Sequence, residues 1–163
     1  MDESINNWRF KTLRHMETVR NYLQVVVCEL LQRGLSHDQA KLEPPEADTF
    51  EAYTPKLRGA TYGSEEYKTF LKEMAPALKH HYETYRHHPE HFPVGIHGMT
   101  LIDILEMLCD WKASSMRSND GDIYKSLEIN QKRFGYSDEL KQIFVNTLDW
   151  MHSQDVFHKA QES

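Results

Sequence analysis

The amino-acid sequence predicts an all-α protein, a compact single-domain helical bundle over residues 1–163. Three observations predict it. Apolar residues recur at spacings of three and four, the register of one helix face. Serine, threonine and aspartate stand just ahead of these runs, with glycine or proline behind them. No alternating apolar–polar stretch, internal repeat or low-complexity linker interrupts the pattern.

The first helix is expected from about Ile5 to Gln32, where Leu13, Met16, Val19, Leu23, Val26, Val27 and Leu30 share a face and Gly34 supplies a stop. Ser36 with Gln39 reads as a capping box that opens a second, short helix, which Pro44 and Pro45 end. A brief segment from Glu46 to Tyr53 follows, and Thr54 to Gly63 reads as a connection. Ser64 ahead of Glu65 and Glu66 starts the next helix, with Phe70, Met74, Leu78, His81 and Tyr85 along one side and Pro76 splitting or kinking it. Residues 87 to 99, with two prolines and two glycines, form an irregular loop. Thr100 and Asp103 cap a helix to about Arg117, and after a turn at 119–122 two helices occupy about 123–133 and 138–158. Leu140, Ile143, Phe144, Leu148 and Met151 on the last of these suit either the core or a homo-oligomer face.

Composition narrows the function classes. The formal net charge is −6, which argues against a duplex nucleic-acid footprint. No apolar run approaches the ~20 residues a membrane span needs, so no membrane role is expected. Two cysteines, Cys28 and Cys109, make no disulfide framework, and the start of the chain lacks a secretory pattern; a cytoplasmic location is the expectation. The excess lies in histidine. Of ten, six fall between His80 and His97.

Several places carry chemistry. His37-Asp38 sets an imidazole and a carboxylate on one short helical turn, from which both reach a single cation; alternatively Asp38 only stabilises a helix start. On the helix after Thr100, Asp103, Glu106, Asp110, Ser114 and Arg117 share a stripe while most of the remaining surface is apolar. Carboxylates on a helix buried in that way need cations or donors. His81 shares its face with Met74 and Leu78 and so points inward, whereas His80 is turned about 100° from it. His87-His88 stands at the helix end ahead of Pro89. Inward imidazoles opposite an acidic stripe describe a metal cavity with nitrogen and oxygen ligands. His15, mid-way along the first helix between Leu13 and Met16, completes the set.

The order His15, His37-Asp38, His81, His87-His88, Asp110 resembles the HD superfamily of metal-dependent phosphohydrolases, over roughly residues 15–117. The segment from His88 to Met99 ahead of Cys109-Asp110, and His37-Asp38-Gln39-Ala40-Lys41, are similar to the HD-GYP branch. Its Gly-Tyr-Pro triplet is absent, so a cyclic dinucleotide substrate is not implied. The chain looks more like a small bacterial and phage family with a His-His-Pro-Glu-His signature.

The resemblance implies an HD-like helical core and a small phosphorylated substrate, a nucleotide or related phosphoester. It implies one divalent ion held by His15, His37, Asp38 and Asp110, with Asp38 bridging to a second ion at His81, His87 and His88. Ions ~3.5–4 Å apart would clamp a phosphate and supply hydroxide. Manganese, iron, cobalt, nickel and zinc all suit such donors. Lys41 and Arg117 are expected to bind phosphate oxygens, and Glu90 or Glu106 to orient water or protonate the leaving group. Tyr82, Tyr85 and Trp111 are candidates for stacking on a base. Two other functions fit the residues: an HD-type di-iron oxygenase, and a non-catalytic nucleotide-binding or structural helical protein.

Overall fold

A computed structural model describes residues 7–61, 63–117 and 121–154. Among these residues the protein is all-α, with seven α-helices, three 3-10 turns and no strand. No helix among them is long and apolar enough to cross a membrane. The chain divides into two units, Met1–His37 and Asp38–Ser163.

The first unit is one helix, α1 (Trp8–Ser36), capped by the Asn7 side chain, which accepts from the Arg9 amide. The expected stop at Gly34 is not used. A glycine inside a helix costs roughly 1 kcal/mol relative to alanine, and this helix carries that cost for one more half-turn. The expected capping box at Ser36 is also absent, because its hydroxyl bonds back to the Gln32 carbonyl at 3.2 Å as a helical residue does. The helix ends at Ser36, with His37 as its C-cap at φ −54° and ψ 125°.

The second unit begins with the 3-10 turn Gln39–Leu42, in place of the short α-helix expected there, and then α2 (Ala47–Gly59). This helix overrides the connection expected from Thr54, running through Pro55. Its last turn is held by Lys56, whose ammonium lies 4.2 Å from the Tyr53 ring centre and 5.8 Å from that of Phe70 on the next helix. The predicted split at Pro76 is found: α3 (Glu65–Glu73) and α4 (Ala75–Thr84) meet at Met74, with Pro76 in the first turn of α4, where no amide hydrogen is needed.

The loop after α4 contains two 3-10 turns, Pro89–His91 and Gly95–Gly98. Then come α5 (Leu101–Ser115), α6 (Ile123–Phe134) and α7 (Asp138–Ser153); the part of the last predicted helix beyond 154 and residues 119–120 of the predicted turn lie outside the described residues. Thr100 and Asp103 form the predicted reciprocal cap on α5. Helix α5 is less enclosed than its apolar content suggests, since Leu101 and Cys109 are exposed.

The main core joins Ile96 to Met107 and Leu108 of α5, Ile123 and Leu127 of α6, Tyr136, and Phe144 and Leu148 of α7. Leu140 and Met151 pack against it while Ile143 is exposed, so the apolar face of α7 serves chiefly the core. Trp111 stacks on Phe134 at 6.0 Å between ring centres, which commits it to packing rather than to a base. Every member of this core lies C-terminal to residue 95.

Candidate metal centre

Three short stretches of the second unit converge. The backbone of Asp38 adopts φ 58° and ψ 13°, the left-handed region, the one non-glycine residue to do so among those described. Aspartate tolerates this better than most residues, but an occupied left-handed site that is not glycine signals a demand on the side chain. On α4, Met74, Ala77 and His81 repeat at helical spacing and are all buried, so the register that turns methionine inward also turns the imidazole of His81 inward. The helix then stops at Tyr85, whose extended backbone swings His87 and His88 back toward it. The Ala40 amide donates to the Tyr85 hydroxyl at 2.6 Å, which ties the turn bearing Asp38 to the loop bearing the two histidines.

The side chains form a symmetric chain. Asp38 Oδ1 lies 3.2 Å from His81 Nε2 and 3.5 Å from His87 Nε2. Beyond them, His81 Nδ1 lies 2.9 Å from Glu46 Oε2, and His87 Nδ1 lies 3.1 Å from Glu106 Oε1. Each ring thus turns one nitrogen to a glutamate and the other to the common aspartate. The His88 ring closes the group at 4.1 Å from His87 and 4.8 Å from His81, centre to centre. One donor atom from each of Asp38, His81, His87 and His88 lies within 4.8 Å of the others. An oxygen of Asp110 falls within the same distance of one of Asp38.

Burial gives this grouping its meaning. His81 and His87 are each 1 % exposed. The Nε2 atoms of His81 and His88 are buried and make no hydrogen bond, an arrangement that costs about 1–3 kcal/mol per polar atom unless something fills it. Burial, with His87 and His81 adding to it, pulls the pKa of His88 down to about 3, against weaker upward pulls from Asp110 and Asp38. Its imidazole is neutral near pH 7, the form in which a histidine nitrogen binds a metal. Imidazole nitrogens around a carboxylate suit a divalent transition ion better than magnesium or calcium.

The other expected site residues sort as follows. Lys41 is at the cluster, its ammonium 2.5 Å from Asp38 Oδ2. Glu106 is there too, beside His87. Asp110 also receives the Ser114 hydroxyl at 3.4 Å. Arg117 is exposed and donates to Ser114 Oγ at 2.8 Å. Glu90 pairs at 2.5 Å with Arg133 of α6, so its carboxylate is spent on that contact. His91 donates to the Tyr82 carbonyl at 3.0 Å. His15 and His37 both belong to the first unit. They stand 22 positions apart on one continuous helix and its cap, hence about 33 Å along the axis at 1.5 Å per residue. One ion cannot take both, and since His37 is bonded to Asp38, the expected set of His15, His37, Asp38 and Asp110 is not a single site within one chain.

Sequence reading missed Glu46. It is fully buried, yet it stands at the start of α2 beside Pro45 and looks like an ordinary acidic helix start. Only the three-dimensional approach of α4 reveals its partners.

The fold and the cluster together define an all-α protein with a buried histidine–carboxylate group geometrically able to hold a metal ion. A family model described as a family of unknown function, DUF5662, matches residues 4–157, and the chain belongs to that family. No curated protein and no solved structure matches it.

Proposed function

We propose that the protein is a metal-dependent phosphohydrolase acting on a small phosphorylated substrate of the nucleotide class. The observation that carries this reading is the convergence of Asp38, His81, His87 and His88, in which the buried Nε2 atoms of His81 and His88 make no hydrogen bond. These four residues would hold a divalent transition metal, with Asp110 offering a further oxygen beside Asp38. A bound divalent ion supplies Lewis acidity to a phosphoryl oxygen and lowers the pKa of water.

The chain's own groups complete the site. Lys41 holds an ammonium at Asp38, where it can turn to a phosphate oxygen and offset charge on the substrate. Glu106, 12 % exposed and in contact with His87, orients that ring and is placed to accept a proton. The likeness to HD phosphohydrolases supports hydrolysis over other metal chemistry, and it motivates a second ion that shares Asp38.

The test is elemental analysis of the purified protein, then removal of metal and reloading with manganese, cobalt, nickel or zinc. Each form is screened for phosphate or nucleoside release from mono-, di-, tri- and cyclic nucleotides. We expect one or two ions per chain, hydrolysis of at least one substrate, and loss of both metal and turnover in Asp38→Asn. A protein that takes up none of these ions, or an Asp38→Asn variant that keeps its metal and activity, overturns the reading.

A further inference from the structure

Glu46 is 0 % exposed, while its two carboxylate oxygens each meet a different imidazole. Oε1 lies 2.7 Å from His80 Nδ1 and Oε2 lies 2.9 Å from His81 Nδ1. The two histidines are neighbours on α4 and point in different directions, yet one buried carboxylate serves both. A carboxylate only accepts, so both rings donate from Nδ1. A neutral imidazole that donates from Nδ1 leaves its lone pair on Nε2. In His81 that is the buried nitrogen facing Asp38 at 3.2 Å.

We propose that Glu46 is the positioning residue of the cluster: it fixes the tautomer of the His80–His81 pair and so holds His81 Nε2 ready to accept a cation. The proposal rests on the metal reading above for its purpose, but the tautomer is a property of the metal-free chain. Carboxylates outside a metal–histidine contact orient the ring and typically account for 10–100-fold in affinity. His80, whose side chain is 44 % exposed, is the outer arm of the pair and offers nothing to the centre directly.

Glu46→Gln makes the test sharp. The amide keeps one acceptor and gains a donor, so one of the two rings must accept at Nδ1 and carry its hydrogen on Nε2. The full chain, labelled with nitrogen-15 and stripped of metal, is read by long-range nitrogen–proton correlation of the imidazoles, with His80→Phe providing the assignment. Wild type should show Nδ1–H in both His80 and His81; an Nε2–H form of His81 would overturn the proposal. In Glu46→Gln we expect one ring of the pair to switch with helicity unchanged, and Co(II) to bind about 10–100-fold more weakly where that ring is His81. Unaltered Co(II) affinity in a Glu46→Gln protein whose His81 carries Nε2–H would also overturn it. His80→Phe removes the outer ring but leaves the contact between Glu46 and His81, and should retain Co(II) affinity. A loss in His80→Phe equal to that in Glu46→Gln would mark general packing damage and count against the proposal. Should Glu46→Gln fail to fold, the wild-type tautomers decide. Wild-type protein with both rings in the Nδ1–H form that takes up no Co(II) would keep the tautomer assignment and sink the metal reading instead.

Discussion

Arg86 grips Asp103 with two guanidinium nitrogens, Nε on Oδ1 and a terminal nitrogen on Oδ2, each at 3.1 Å. Asp103 is wholly buried and also accepts from the amide and hydroxyl of Thr100, both at 2.8 Å. The first carboxylate of the acidic stripe on α5 is therefore a structural anchor for the start of the helix. Removing one partner of a buried pair strands a charge, typically at 3–5 kcal/mol, but the Arg86 side chain is 46 % exposed and water recovers part of that. Arg86→Met should lower unfolding free energy by about 2 kcal/mol. Urea titration followed by circular dichroism measures it, with the midpoint falling and the slope unchanged.

The left-handed backbone at Asp38 predicts different outcomes for different replacements. Asn tolerates this conformation nearly as well as Asp, whereas Ala adds about 1 kcal/mol of backbone cost. Asp38→Asn should therefore melt within a few degrees of wild type without metal, yet lack the rise in Tm that Co(II) or Zn(II) is expected to give wild type. Asp38→Ala should lose that rise and also melt lower. Differential scanning calorimetry of the three proteins, with and without metal, separates strain from ligation. Equal metal-induced shifts in wild type and Asp38→Asn would refute ligation by this carboxylate.

Acid should destabilise the metal-free protein through His88. Its ordinary pKa of 6.5 is pulled to about 3 in the folded state by burial, so between these values the unfolded chain binds more protons than the folded one. The folded state accordingly loses stability as pH falls from about 6.5 toward 3, and this contribution levels off below that. His88→Gln should flatten the dependence in that window. The midpoint of urea unfolding across the range, for both proteins, provides the comparison.

Gly98 closes the second 3-10 turn against Phe92. A Cβ there would lie 2.9 Å from Phe92 Cβ and 3.0 Å from its Cδ1, closer than such atoms approach. The nearest neighbour sits beside the Phe92 backbone and has little room to yield. Gly98→Ala should cost about 1–3 kcal/mol through overpacking, seen as a lower Tm. Gly34→Ala, with open space around it, should instead hold or raise stability.

The helices were largely legible in the sequence where local chemistry decides them. Thr100 and Asp103 cap α5 because both halves of a capping box lie within four residues, and Pro76 splits α3 from α4 because its ring cannot be avoided. His81 could be placed inward because its register follows Met74 and Ala77. Helix ends that depend on distant contacts were not legible. The extension of α2 through Pro55 is held partly by Lys56 against Phe70, a contact on another helix. Glu46, Glu90 and Arg86 could not be sorted in advance, since their partners His81, Arg133 and Asp103 lie 17 to 43 positions away in the chain. Order along the chain is all that links His15 to the cluster, and order carries no information on the length of an unbroken helix.

The main core is assembled entirely from residues after 95, whereas Asp38, Glu46, His81, His87 and His88 come from earlier in the chain. The second unit thus has two tiers of cohesion. Amides of α5, α6 and α7 should exchange with solvent only on global opening, while those of the Gln39–Leu42 turn and α4 exchange through a smaller, local event. An ion joining residue 38 to residue 81 would close a loop of roughly 40 residues and slow that smaller event selectively. Ion occupancy would then set the proteolytic lifetime of one half of the unit and leave the other half indifferent.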